Sequence, residues 1–167
     1  MNIMKTTVLA GSLALAGCAT NTDAKIVANA TTEDHKCLAE AIYYEAGSEA
    51  TLGKHAVAHV VVNRTLSGRY PNSICKVVYE RNYKKRGCQF SWSCRKRSKP
   101  HGVRWEEAQE VATLVLTGKS QDVSRGALLF SGRRDRVNYS SQYQKTVVIG
   151  GHTFWGPKRQ QARAENR

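Results

Sequence analysis

Cys37-Leu-Ala-Glu-Ala-Ile-Tyr-Tyr-Glu-Ala-Gly-Ser-Glu-Ala50 is the stretch on which the reading of this chain turns. Leu38, Ala41, Ile42 and Glu45 follow the i, i+3, i+4, i+7 spacing of one helix face, and Glu49 continues it four residues on. A carboxylate therefore stands where a core residue is expected. Burying a carboxylate is costly, and one that is retained tends to hold its proton and to act as an acid. The plain alternative is a helix end emerging from the core, with both glutamates in water. The stripe alone does not choose between the two.

Working outward, Thr31 or Thr32 can cap this helix, with Glu33 and Asp34 in its first turn. Gly47 and Ser48 weaken its end. A second helix is expected from Leu52 to Leu66 with Thr51 as cap and Ala56, Val57, Val60 and Val61 inward; Asn63 and Arg64 follow. Tyr70-Pro71-Asn72-Ser73 reads as a turn into a short helix, Ser73 to Tyr79. Residues 81–99 read as irregular and basic, with eight Lys or Arg, no acid after Glu80, and Tyr83, Phe90 and Trp92 interleaved. A fourth helix is expected from Trp105 to Thr117, with Ala108, Val111, Ala112 and Val115 inward. The period then changes. Ala127 to Ser131 reads as a buried strand, and Thr146–Ile149, Gly150-Gly151 and His152–Trp155 as a hairpin. The class is α+β, helices first and a small antiparallel sheet at the C-terminal end.

The 167 residues allow one domain with a tail, and 41% hydrophobic content suits a modest globular core. A net charge of +13, from 26 Lys and Arg against 13 Asp and Glu, calls for a polyanionic partner. Lys5, an apolar run from Thr7 to Ala16 and the small residues before Cys18 make a secretory signal too short to span a membrane. Its ending, Leu15-Ala16-Gly17-Cys18, resembles the lipobox of bacterial lipoproteins. That resemblance implies cleavage before Cys18, a lipid anchor on Cys18 and, with Ala19 following, the outer membrane. Residues 19–32 then read as a polar tether and 157–167 as a charged tail.

Cys37, Cys75, Cys88 and Cys94 remain, an even number in an oxidising compartment, so two disulfides are expected in one of three connectivities. The pairing favoured here is Cys75 with Cys88 and Cys37 with Cys94. Zinc is disfavoured because no close C-x₂₋₄-C pair occurs. His55 and His59 lie four apart but lack the H-E-x-x-H glutamate, so no metal or cofactor is expected. Neither a phosphate loop nor a G-x-S-x-G elbow is present. What remains is Glu45 and the polar groups that could converge on it: Glu49, Asn63, Gln89, Ser91, Tyr43, Tyr44 and Tyr139. Glycosidic cleavage needs a carboxylic acid kept protonated in a groove with apolar or aromatic walls, and Glu45 is placed for that work.

The segments CLAEAIYYEAGSEA, GKHAVAHVVVNRTLSGRYPNSICKVVYE, CQFSWSC, RGALLFSGRRD and VVIGGHTFW, taken in order, resemble the SleB/CwlJ-like cell wall hydrolases over Cys37 to Trp155. The resemblance implies a lysozyme-like helical catalytic domain over 33–156 that cleaves peptidoglycan between N-acetylmuramic acid and N-acetylglucosamine. It places the family's catalytic glutamate on Glu45. Its second glutamate falls on Glu49, its helix asparagine on Asn63, and its groove-lining segment on Gln89, Phe90 and Ser91; Tyr44 joins these as a substrate contact. The chain departs from the family at Gly47-Ser48, where Arg-Gly is usual, so a positive group beside the site is missing. It departs again at Leu128–Gly132, where relatives carry aromatic residues and Asn-Pro.

The expectation is a monomeric peptidoglycan glycosidase, held to the periplasmic face of the outer membrane by its lipid. Glu45 would act as general acid and then base, leaving a 1,6-anhydromuramyl product as lytic transglycosylases do. On a continuous helix Glu49 would lie about 5–6 Å from Glu45, on the same side of the groove, and so would support it. A hydrolytic muramidase and a non-catalytic peptidoglycan-binding lipoprotein are the alternatives. A nucleic-acid binder using residues 81–99 is disfavoured by the export signal, so nucleic acid is not expected as a partner.

Overall fold

A computed structural model of the protein describes residues 30–82, 87–137, 139 and 141–158. Cys18 and its signal segment lie outside the described residues.

Among the described residues four α-helices come before the C-terminal sheet: α1 (Thr32–Ala46), α2 (Thr51–Leu66), α3 (Ile74–Val78) and α4 (Val103–Leu116). Thr31 caps α1 through a reciprocal box with Asp34: the Asp34 amide donates to Thr31 Oγ1 at 3.0 Å, and the Thr31 amide to Asp34 Oδ2 at 3.3 Å. α2 starts one residue earlier than expected. Its cap position is Ala50, whose side chain bonds nothing, and Thr51 is its first helical residue, not its cap.

α1 packs on α2, α3 and α4, burying Leu38, Ala41 and Ile42 completely against Val61, Val77, Val78, Val111 and Val115. α2 is apolar on two sides. Ala58 and Val61 face this helical core, whereas Ala56, Val57 and Val60 face a second cluster with Ala46, Ala127 and Phe154. Cover on both sides explains why the β-favouring run Val60-Val61-Val62 stays helical: tertiary burial outweighs propensity.

Residues 81–82, 87–88 and 91–94 form regular structure that their composition does not suggest. β1 (Arg81–Asn82) pairs antiparallel with β2 (Gly87–Cys88), and Ser91–Cys94 form a 3₁₀ turn. The disulfides correct the expected connectivity. Cys37 bonds Cys75, joining α1 to α3 with Cα atoms 5.2 Å apart, and Cys88 bonds Cys94 across the turn at 5.8 Å. The pairing follows packing: α1 and α3 are in contact, and the 3₁₀ turn brings residue 94 back to residue 88.

The C-terminal sheet has the order β3-β5-β4, all antiparallel, from β3 (Leu129–Gly132), β4 (Tyr143–Ile149) and β5 (His152–Pro157). Gly150-Gly151 turns β4 into β5 as expected, with Ile149 opposite His152. The register shifts between Lys145 and Val147, and the intervening Thr146 hydroxyl donates to the Ser124 carbonyl at 2.8 Å. The α2-facing cluster includes Phe154 from β5, with Phe130, Val147 and Ile149 packed against it.

Candidate active site

Glu45 stands in the last turn of α1, one residue before the helix ends, so the stripe carries it to the edge of the helical core. It is half-buried. Burial pushes its carboxyl above the usual carboxylate range; the Trp92 indole and the charges of Arg64 and Arg97 pull the other way and only partly offset this. The Trp92 N–H is buried and lies near Glu45 without forming a well-shaped hydrogen bond. It is a donor waiting on one side of the acid.

Aromatic groups pack around it. Trp92, on the 3₁₀ turn braced by Cys88–Cys94, stacks on Tyr44 with ring centroids 4.5 Å apart. Tyr43 meets Tyr44 edge-on at 5.1 Å. The Tyr44 hydroxyl donates to the Ser98 carbonyl at 2.7 Å, which fixes the segment after the turn beside α1.

Arg64 is the residue the sequence reading passed over. Its side chain is buried, its Nε donates to the Leu128 carbonyl at 2.8 Å, and its guanidinium lies over the rings of Tyr70 and Phe90 at 5.1 and 5.3 Å. With its amide oxygen toward Arg64, Gln89 accepts from both terminal guanidinium nitrogens at 3.1 Å. Burial lowers the proton affinity of Arg64, and Tyr70, Glu80 and Glu45 oppose that. The signal was in the sequence. Val57, Val60, Val61 and Arg64 repeat the i, i+3, i+4, i+7 rule that singled out Glu45. Arg64 and Arg97 therefore supply positive charge near the acid. Gly47 has no side chain to supply any, and a Cβ there would meet the Tyr43 carbonyl.

Glu49 is not on a continuation of α1. The helix ends at Ala46, and the chain bends so that Glu49 reaches the β4–β5 turn. There its Oε2 accepts from the Gly151 amide at 3.0 Å, and its Oε1 lies 3.8 Å from His152 Nδ1. Gly150 has φ +55°, and a methyl group on it would overlap the Glu49 carboxylate. The expected placement four residues along one stripe is thus corrected, because α1 stops before a further turn can form.

Asn63 faces the loop that follows α4. Its Nδ2 lies 2.9 Å from Asp122 Oδ2, 3.3 Å from Ser124 Oγ and 3.2 Å from the Ala127 carbonyl, so it anchors that loop. Phe90 is buried against Trp92 and Phe130, Ser91 is exposed at the start of the turn, and Tyr139 stacks edge-on to Trp155 at 5.6 Å. The two histidines of α2 converge on one hydroxyl: His55 Nδ1 and His59 Nε2 lie 2.7 and 2.9 Å from Ser120 Oγ. The structure thus brings Glu45, Tyr44, Trp92 and Arg64 together, with Gln89 and Phe90 supporting Arg64.

A helical domain ending in a small three-stranded antiparallel sheet is the fold that this chain shares with SleB catalytic domains. The catalytic domain of the Bacillus cereus SleB protein matches with a TM-score of 0.60 at 24% identity, over 75% of this chain and 92% of that one. The catalytic domain of the germination-specific lytic transglycosylase SleB from Bacillus anthracis matches with a TM-score of 0.55 at 24% identity, over 75% and 96%. At this identity the likeness is one of fold. The sequence model of the cell wall hydrolase family matches residues 48–155, and the chain belongs to that family of enzymes. No curated protein matches the chain. The matched range begins three residues after Glu45, so the reading of that residue stands on its surroundings.

Proposed function

We propose that the protein is a peptidoglycan glycosidase that cleaves between N-acetylmuramic acid and N-acetylglucosamine, with Glu45 as its acid. The observation that carries this is the half-buried Glu45 carboxyl, whose proton affinity burial raises, beside the Tyr44–Trp92 stack. A protonated carboxyl can give its proton to the glycosidic oxygen as the bond to the anomeric carbon breaks. Trp92 N–H and the positive charges of Arg64 and Arg97 favour the carboxylate left behind. Membership of the cell wall hydrolase family supports peptidoglycan as the substrate.

The route we favour is the lytic transglycosylase one. Hydrolysis ordinarily uses a second carboxylate across the sugar. Glu49, the nearest in sequence, is committed to Gly151 and the hairpin. Glu45 as carboxylate then takes the proton of the muramyl 6-hydroxyl, whose oxygen closes on the anomeric carbon. The Bacillus anthracis protein of the same fold is itself named a lytic transglycosylase. The signal and lipobox-like Cys18 support an enzyme that works as a lipid-anchored monomer at the periplasmic face of the outer membrane, on the wall and not on nucleic acid.

Digestion of purified sacculi followed by mass spectrometry of the soluble products tests this. The parent should release 1,6-anhydromuramyl products and Glu45→Gln none. Reducing-end muramic acid would overturn the transglycosylase route, and an active Gln variant would overturn the choice of acid. A folded parent that binds sacculi and releases nothing would make the protein a wall-binding lipoprotein.

A further inference from the structure

The segment that leaves the 3₁₀ turn, Arg95-Lys96-Arg97-Ser98-Lys99, carries four exposed cations in five residues. It is fixed at both ends. Cys94 is tied to Cys88, and Ser98 receives the Tyr44 hydroxyl at 2.7 Å. These contacts hold the cations beside the Tyr44–Trp92 wall, and the charge of Arg97 is felt by both Tyr44 and Glu45. Among the described residues none of the four forms an ion pair, whereas Lys36 pairs with Glu33 and Lys54 with Glu107. The two ties fix the backbone that carries these cations, so placing their charge beside Tyr44 costs less entropy than it would from an untied loop. A loosely solvated loop would not need either tie.

We propose that Arg95, Lys96, Arg97 and Lys99 form an anion-binding wall of the Glu45 groove that recognises the free carboxylates of peptide-substituted glycan strands. The proposal rests on the glycosidase reading and names its substrate class: strands that carry ionised stem peptides, in preference to neutral or amidated ones. Carboxylate is favoured because stem peptides branch from the muramyl sugar at the bond that Glu45 would cleave, and the charge of Arg97 already reaches Glu45. Phosphate in wall polymers shares the charge but not that place.

The test measures kcat and KM on three substrates: sacculi as isolated, sacculi with carboxylates converted to amides, and sacculi stripped of phosphate-bearing polymers. Exposed charge pairs are individually weak and screened by salt, so amidation is expected to raise KM about tenfold at low ionic strength and less at high salt. In R95Q/K96Q/R97Q/K99Q, KM on native sacculi should rise by a similar factor and the native-to-amidated contrast should vanish. Lys36→Gln, Lys119→Gln and Lys145→Gln together, which remove charge from other elements, should keep the contrast. An equal contrast in parent and the 95–99 variant overturns the proposal, as does a contrast that follows phosphate removal instead of amidation. Co-sedimentation of Glu45→Gln with native and amidated sacculi separates the two layers. Weaker binding to the amidated form supports the wall even if Glu45 proves not to be the acid, and equal binding sinks it while leaving the glycosidase intact.

Discussion

Gly150→Ala probes the contact that holds Glu49 at the β4–β5 turn. Gly150 has φ +55°, and a methyl group there overlaps the Glu49 carboxylate. The left-handed backbone costs a residue with a Cβ about 1–2 kcal/mol. The collision displaces Glu49 from the Gly151 amide, a charge-assisted bond of 3.0 Å. Such bonds contribute about 1.5–3 kcal/mol, and because the Glu49 side chain is 18% exposed we take about 2 kcal/mol. Gly150→Ala should then destabilise by about 3 kcal/mol and Glu49→Ala by about 2. The double variant should also lose about 3, not 5, because with Glu49 gone only the backbone term remains. Urea unfolding of the four proteins gives the coupling directly. A coupling energy below about 0.5 kcal/mol would mean that Glu49 does not hold the turn, and the reasoning fails. Glu49→Gln keeps an acceptor for Gly151 and should keep most activity. Its inactivation without loss of stability would return Glu49 to the role of second carboxylate.

Three other outcomes follow from the same geometry. The raised Glu45 proton affinity makes activity fall as pH rises through its pKa, seen in a kcat/KM profile; the same burial stabilises the protein below the ordinary glutamate value and costs stability above it. Glu45→Gln, which never ionises, should therefore melt at or above the parent temperature at neutral pH while inactive. Asp122 is pushed up by burial but pulled further down by Ser124, Asn63 and the Gly126 amide, so its stability is present at neutral pH and lost as acid protonates it, below about pH 4. Asp122→Asn should cost about 2–4 kcal/mol in urea unfolding at pH 7 and flatten the acid limb of stability against pH. The Cys37–Cys75 bridge spans 38 residues and Cys88–Cys94 spans 6, so by loop entropy replacing the first pair with Ser should cost about 4 kcal/mol and the second about 2. A larger loss of activity than of stability in the Cys88/Cys94 variant would show the turn working as the wall of the groove.

The local rules carried far along this chain. Periodicity located all four helices to within a few residues, because each has an apolar face answered by another element. The Gly-Gly hairpin was legible from turn chemistry. Thr51 misled because a good capping residue was read as the cap, while α2 begins at a bend in which Ala50 takes the position without a side-chain bond. Residues 81–99 misled because composition says nothing of a two-residue ladder or of a turn whose shape depends on a disulfide.

By itself the sequence determined the α+β class, a carboxylate on an apolar helix stripe, an aromatic and cysteine-bearing basic segment and the family resemblance. All of these rest on spacing along one element or on residue type. Tertiary structure decided which cysteines meet, where Arg64 puts its charge, and that Glu49 turns to the hairpin while Glu45 stays with Trp92. Those are pairings between parts of the chain up to 102 positions apart, as Glu49 and Gly151 are. Short-range rules on helix and strand period contain no term for such distances. A side chain's partner is set by which surfaces the folded core brings together, and only there do two glutamates four residues apart come to face different neighbours.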